Sequence, residues 1–315
     1  MTFALTDQAL PVVEPTDPMK PVELRCSVGV MAFKEEANIA KCLNSLLNQE
    51  ANLVRIEEIV VVVSGNADNT GAIVEDFSQR DPRVRLLTQT HREGKASAIN
   101  LFLSRSRASI LVMVGADTIL PSSSLGHLLL PFLDPEVGMT GGHPIPVNDP
   151  RTFMGFTVHL LWDLHHRVAL RHPKPGELTA YRRIFERIPR SSAVDEANIE
   201  PLVRGQGYEI RYVPQAILLN RGPSTVADFL KQRRRINAGH YRLRRAQGYT
   251  VATMSGRRIF LELIRHPQWN WRWWLWTPAV IGLEIWGRAL GWYDYRWANR
   301  SHTVWDVVAS TKEVG

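Results

Sequence analysis

From Leu24 onward, short apolar runs alternate with segments of helical periodicity, and no other feature constrains the fold as strongly. "CSVGVMAF" has strand character, and "EEANIAKCLNSLLNQ" sets Ile39, Leu43, Leu46 and Leu47 on one helical face. "IEEIVVVVSG" is a second strand, closed by the turn-rich "SGNADNTG" and followed by the helix "AIVEDFSQ". "VRLLTQ", "KASAINLFLSRS" and "SILVMVGAD" continue as strand, helix and strand. Such a succession builds βαβ units and a parallel sheet, and right-handed crossovers bring the strand ends to one edge. The fourth strand is apolar from Ile110 to Val114, as suits a strand covered on both faces. Soon after it stands a lone carboxylate, Asp117, at the edge where open α/β sheets hold their ligands. A loop Asp that caps the turn ahead of Pro121 has the same local sequence.

Past Pro121 the character changes. "VGMTGGHPIPV" is another strand, "FMGFTVHLLWDLHHRVALR" a long amphipathic helix, and "YEIRYVP" and "AILLN" are further strands. "PSTVADFLKQRRRINAGHYRLRRAQG" is a helix, with Thr225 and Asp228 arranged like a capping box and Gly248 at its end. Residues 1–22 contain four prolines, with no basic start leading into an apolar core. They are expected to form a flexible extension, not a signal peptide. Nine of the ten tryptophans fall in the last seventy residues. The stretch "WNWRWWLWTPAVIGLEIWGRALGWYDY" is interrupted by Glu284 and Arg288, so it falls short of the roughly 18 apolar residues of a spanning helix. Aromatic-rich sequence with a narrow charged stripe suits a helix lying in a membrane interface.

Bulk properties narrow the classes. At 44% hydrophobic and 22% charged, the 315 residues are those of a globular chain able to bury a large core. The net charge of +7 points to an anionic partner: a nucleotide, a nucleic acid or a membrane surface. The two cysteines, Cys26 and Cys42, each stand in an apolar setting and read as core residues, which suits a reducing compartment. In "HLLWDLHHRV", His159, His165 and His166 lack the spacing and companions of a metal site and suit a packed or solvated helix.

Five stretches stand in a telling order: "VGVMAFKEEANI", "VVVSGNADNT", "GADT", "VDEANIEPLVRGQGYEIRYVP" and "QRRRI". Over roughly Cys26 to His240 this succession resembles the family 2 glycosyltransferases, nucleotide-sugar-dependent inverting enzymes. The resemblance implies an α/β, GT-A fold: a Rossmann-like, mostly parallel sheet flanked by helices, here with a Trp-rich helical C-terminal segment. It divides the chain into an extension (1–22), a catalytic domain (23–248) and a C-terminal segment (249–315). Within the catalytic domain the nucleotide half ends near residue 140 and the acceptor half occupies about 141–248.

The same resemblance implies roles for particular residues. Asp117 matches the last acid of the Asp-x-Asp motif, which holds Mg²⁺ or Mn²⁺ against the donor diphosphate; Gly115 stands where the first acid belongs. Hard cations of this kind take one or two carboxylates plus phosphate oxygens. Glu35, Ser64, Asp68 and Lys95 fall on the nucleotide-sugar side, with Val63 and Ser64 where the family often has two acids. Asp68 also suits a plain helix cap, and Lys95 a surface helix start. Glu196 takes the place of the catalytic base and Asp195 that of its acidic neighbour, although two carboxylates are also ordinary helix-start chemistry. Gln232 and Arg235 match the family's Gln-x-x-Arg-Trp, with Ile236 in place of Trp; Arg235 has the planar fork that suits a diphosphate. Most of the other arginines of this helix, Arg233, Arg234, Arg242, Arg244 and Arg245, read as a solvated basic face. His240 matches in position a histidine that completes the metal shell in some GT-A enzymes.

The expected function is sugar transfer from a nucleotide-diphosphate sugar, UDP-linked on the resemblance, to a hydroxyl of a lipid or glycan acceptor. The expected location is the cytoplasm, peripheral at the cytosolic face of a membrane, with no nucleic acid as partner. The alternative is a sugar-nucleotide-binding, GT-A-like protein without transferase activity or acting as a nucleotidyltransferase; the latter shares the nucleotide-binding half but lacks the "VDEANIE" and "QRRRI" pair. A basic nucleic-acid-binding protein, the remaining alternative, leaves the acids and the tryptophans without a role.

Overall fold

In the computed structural model, residues 23–50, 53–65, 68–190 and 194–298 are described. The extension expected over 1–22, the last residues, 299–315, and the side chain of Asp195 lie outside them. The first half is a run of βαβ units: β1 (Leu24–Ala32), α1 (Ile39–Leu47), β2 (Val54–Ser64), α2 (Thr70–Arg80), β3 (Val84–Gln89), α3 (Lys95–Arg105) and β4 (Ile110–Gly115). β1 lies between β2 and β4, parallel to both, and β2 pairs in parallel with β3. Alternation along each strand builds a core on either face. Val28, Val30, Val61, Val63, Val112 and Val114 lie in the cluster with Ile39 and Leu43 of α1. Val60, Val62, Leu111 and Met113 lie in the cluster with Ile99 and Phe102 of α3. Gly29 is required by that packing, because a Cβ there would come within 2.6 Å of the Phe102 ring.

The second half completes the sheet with β5 (Thr118–Ile119), α4 (Ser124–Leu129), β6 (Val137–Pro146), α5 (Phe153–Arg171), β7 (Thr179–Arg182), α6 (Asp195–Arg204) and β8 (Glu209–Asn220). Among the described residues eight strands run β3-β2-β1-β4-β7-β6-β8-β5. β7 is antiparallel to both β4 and β6, which makes the sheet mixed. "YEIRYVP" and "AILLN" are one strand instead of two: β8 stays paired with β6 through a register shift between Gly141 and His143. Four-residue β7 and two-residue β5 had no separate signal in the sequence. Short as it is, β5 ties the segment around Asp117 to the second half of the sheet, because Thr118, the next residue, pairs with Asn220 at the end of β8.

Three further helices close the molecule: α7 (Val226–Gln247), α8 (Gly256–Arg265) and α9 (Trp271–Tyr293). The hydroxyl of Thr225 accepts from the Asp228 amide at 3.1 Å, and Gly248 ends α7 in the left-handed region at φ +66°, as the capping signals require. α9 crosses α7 closely through Gly287 and Gly291; a Cβ at Gly291 would lie 2.7 Å from the Cβ of Asn237 and 2.9 Å from the Arg234 carbonyl oxygen. Ion pairs frame the crossing. Glu284 of α9 takes Arg233 at 3.0 Å and Arg288 at 3.1 Å, and Arg234 pairs with Asp294, which is fully buried. Arg233 and Arg234 therefore depart from the solvated face expected of them, since they hold the C-terminal helix. Leu263 of α8 and Trp273 and Val280 of α9 share a core with Phe156, Leu160 and Leu164 of α5. The other side of α8 and α9 leaves Phe260, Ile264, Trp271, Trp274, Ile285 and Trp286 exposed. Among the described residues no helix is long and apolar enough to cross a membrane.

Candidate active site

A cavity of about 730 Å³ opens at the carboxyl ends of β1, β2 and β4 and is walled on the far side by α5, α7, α8 and α9. Glu35, Ser64, Lys95 and Asp117 line it from the sheet edge, Glu196 from α6, and Gln232, Arg235 and His240 from α7. Eight of the ten residues singled out in the sequence thus meet in one place.

Local chain geometry sets the sheet-edge groups. The turn after β1 places Lys34 in the left-handed region at φ +55°, a conformation unusual for a lysine and typical of functional turns. Beyond it the Glu35 carboxylate accepts from Asn38 Nδ2 at 3.0 Å. Ser64 donates to Gln89, whose amide donates on to Ser97, so the end of β2 is tied to α3. Gly94 precedes α3 at φ +93°, where a side chain would be strained, and turns the helix start to the cavity wall. Free amides at such a terminus suit a phosphate. Gly115 has its own physical reason. A Cβ there would stand 2.7 Å from Asp117 Oδ1, so the Asp117 carboxylate occupies the room that a larger residue would need.

At the cavity floor Lys95 Nζ donates to Glu196 Oε1 at 2.6 Å. Burial works to raise the Glu196 carboxyl, but the charge and hydrogen bond of Lys95 and the charge of Lys174 outweigh it, so its pKa is lowered. Glu196 is therefore ionised at neutral pH. Two residues without a motif join it. Lys174 lines the same cavity, and burial lowers its pKa against the pull of Glu200, Glu196 and Glu177. Glu177, two residues ahead of β7, accepts from Asn220 Nδ2, and burial together with Asp117 pushes its carboxyl up to about 7. Arg92 stacks over Phe33, 3.8 Å from the ring centroid, and both line the cavity.

One expectation is corrected. Asp68 is not on the cavity wall: it accepts from the hydroxyl and amide of Thr70 and from the Glu36 amide, tying the β1 turn to α2. His240 lines the cavity, and burial and the cations Lys174, Arg233 and Arg288 push its pKa down to about 3. The imidazole is therefore neutral, the form that ligates metals, and among the described residues its buried Nδ1 has no hydrogen-bond partner. Among the described residues no group of three or more His, Cys, Asp or Glu is arranged to hold a metal by itself. The oxygen donor of Asp117 on the cavity wall does fit the other mode, in which one carboxylate and the diphosphate oxygens share a hard cation. The histidines of α5 are taken up by packing. His159 meets the Asn148 carbonyl at 2.9 Å, His166 meets the Tyr212 hydroxyl at 2.8 Å, and His165 is buried.

The glycosyl transferase family 2 model matches residues 27–189, over half of the chain, including Glu35, Ser64, Lys95 and Asp117 of the cavity wall. The chain belongs to glycosyl transferase family 2. Among family relatives, it is 24% identical over 236 residues to the probable glycosyltransferase YdaM of Bacillus subtilis (strain 168), covering 69% of this chain and 55% of that protein. It is 25% identical over 259 residues to an N-acetylglucosaminyltransferase of Rhizobium meliloti (strain 1021), covering 72% of this chain and 59% of that one. The chain thus spans somewhat more than half the length of these relatives. Its fold is that of the mannosyltransferase PcManGT of Pyrobaculum calidifontis, solved with GDP-Man and Mn²⁺, at a TM-score of 0.58 and 21% identity over 85% of this chain and 74% of that one. The mixed α/β sheet with flanking helices is the GT-A architecture, as the sequence resemblance implied.

The family match ends at residue 189, short of α6 and α7, so the placement of Glu196, Gln232 and Arg235 rests on the cavity they line. Glu177 and Lys174 lie within the matched range yet stood out in no motif. Their only local signal is the turn-rich "HPKPGE" leading into the buried "LTAY".

Proposed function

We propose that this chain is an inverting glycosyltransferase that moves a sugar from a nucleotide-diphosphate sugar to an acceptor hydroxyl. The observation that carries the reading is that Glu196 and Asp117, on separate elements, line one cavity, with Lys95 anchored to Glu196. The start of α3 would receive the donor diphosphate, and Asp117 would hold a Mg²⁺ or Mn²⁺ ion, which would neutralise charge on the leaving diphosphate. Arg235 supports the diphosphate from α7. Glu196 accepts the proton of the acceptor hydroxyl as its oxygen bonds to the anomeric carbon; the bond from that carbon to the diphosphate oxygen breaks, and the electron pair leaves with the nucleotide. A single displacement of this kind needs one base and inverts the anomeric centre. The resemblance favours a uridine nucleotide.

The working place is the cytosolic surface of a membrane, and the acceptor is a lipid or a lipid-linked glycan. α9 carries exposed tryptophans and α8 the exposed Arg257, Arg258 and Arg265, and such a combination of interfacial aromatics with cations suits anionic lipid. The catalytic unit occupies residues 23–248, and 249–315 is the membrane-facing segment. The test is thermal stabilisation by a panel of sugar nucleotides with and without Mn²⁺, in the wild type and Asp117→Ala. A ligand at 100 times its Kd adds about 2.7 kcal/mol. The reading expects Mn²⁺-dependent stabilisation that Asp117→Ala abolishes. Unchanged stabilisation in the variant contradicts the role given to Asp117, and no stabilisation of the wild type by any sugar nucleotide contradicts the reading as a whole.

A further inference from the structure

We propose that Glu177 and Asn220 grip the hydroxyls of the donor sugar ring and so set which sugar is transferred. This rests on the transferase reading above and adds the part of the site that reads the sugar. In a direct displacement the attacking oxygen and the leaving diphosphate stand on opposite sides of the anomeric carbon. The ring therefore lies between the group that serves the diphosphate, Asp117, and the base, Glu196. Glu177 lines the same cavity and lies within electrostatic reach of Asp117, Lys95 and Glu196.

The backbone fixes that position. Asp117 is followed by Thr118, which pairs with Asn220 across β5 and β8, and the Asn220 amide nitrogen donates to Glu177 Oε2. On the other side of Glu177, the fully buried Leu178 accepts the Gly142 amide at 2.8 Å, which anchors this segment to β6. Asn220 is only 5% exposed, lines the cavity, and among the described residues leaves its Oδ1 without a hydrogen-bond partner. A buried carbonyl oxygen of this kind is costly to leave unpaired and asks for a donor from the ligand.

The chemistry of the spot selects the ligand group. Asp117, Glu177 and Glu196 line the same cavity, Lys95 is already bound to Glu196, and Lys174 lies within electrostatic reach of Glu177. A carboxyl group, whose oxygens accept and whose protonated form donates, and an amide oxygen match the hydroxyls of a sugar, which both donate and accept. Sites built on such hydrogen bonds discriminate strongly against analogues that lack the hydroxyl.

The test measures binding in the presence of Mn²⁺, by calorimetry, to the wild type, Glu177→Gln, Glu177→Ala and Asn220→Ala. The ligands are the nucleoside diphosphate, the sugar nucleotide that stabilises the wild type most, and its singly deoxygenated donor analogues. The expected result is a loss of about 5–100-fold for the sugar nucleotide, the cost of losing one buried hydrogen-bond partner, with the bare diphosphate bound as in the wild type. One deoxygenated analogue is then bound equally by the wild type and Glu177→Ala. Equal losses for the bare diphosphate and the sugar nucleotide would make Glu177 a metal or diphosphate group and overturn the proposal, as would unchanged sugar-nucleotide affinity. Failure of the wild type to bind any sugar nucleotide is a separate outcome, which removes the transferase reading and this inference with it.

Discussion

Replacing Lys95 by Met removes the cation bound to the proposed base while keeping a side chain of similar length. The Lys95 ammonium and the Glu196 carboxylate stand 2.6 Å apart, each with less than a quarter of its side chain exposed. An opposite charge this close lowers a carboxyl pKa by about 1–3 units, and each unit is worth about 1.4 kcal/mol between the two protonation states. In the variant, burial no longer meets that opposition, and only the smaller pull of Lys174 and the backbone remains. Glu196 in the wild type has a lowered pKa, so the base stays ionised as pH falls until that low value is passed; in Lys95→Met protonation begins earlier. The acid limb of kcat/KM, which reports the free enzyme, is expected to move toward neutral pH by about 1–3 units. Loss of a donor contact lowers the plateau of the profile and leaves the position of the limb unaffected. A profile with a lower plateau but an unmoved acid limb would refute the claim that Lys95 sets the ionisation of Glu196.

Two further outcomes are expected. Gly291→Val destabilises the protein by about 1–3 kcal/mol, because the new side chain meets the α7 backbone at Arg234 and Ala238; Gly282→Ala on the same helix, with nothing within 4 Å of the added Cβ, stabilises by about 0.5–1 kcal/mol. Thermal melts of the two variants check this, and equal effects would place the α7–α9 crossing elsewhere. Replacing the exposed Trp274 and Trp286 together by Ser weakens flotation with anionic liposomes while leaving the melting temperature nearly unchanged. Undiminished flotation of the variant, or none by the wild type, contradicts the membrane reading.

The legible parts of the chain are those whose signal is local. The central strands declare themselves because both faces are covered, so runs such as Ile110–Val114 have no polar position. The bounds of α5 and the caps of α7 follow from periodicity and from Thr225 and Gly248, whose chemistry acts within one turn. What stayed hidden depends on distant partners. β7 has four residues, and only its place between β4 and β6 makes it a strand. Arg233 and Arg234 looked like a solvated face because their partners, Glu284 and Asp294, lie fifty or more positions further along. At the site, Asp68 fits a family position but is occupied by the cap it also fits. Glu177 carries no motif, and its importance emerges only when β5 and β8 bring Asn220 and Asp117 beside it.

Glu196→Gln tests the central claim most directly. The substitution keeps shape and removes the basic oxygen, so sugar-nucleotide binding with Mn²⁺ should stay near the wild-type affinity. Turnover measured with labelled donor should fall by roughly 10²–10⁴-fold, the usual contribution of a general base, and Asp195→Asn should cost less. Turnover retained by Glu196→Gln, or a larger loss in Asp195→Asn, would contradict the assignment of Glu196 as the base.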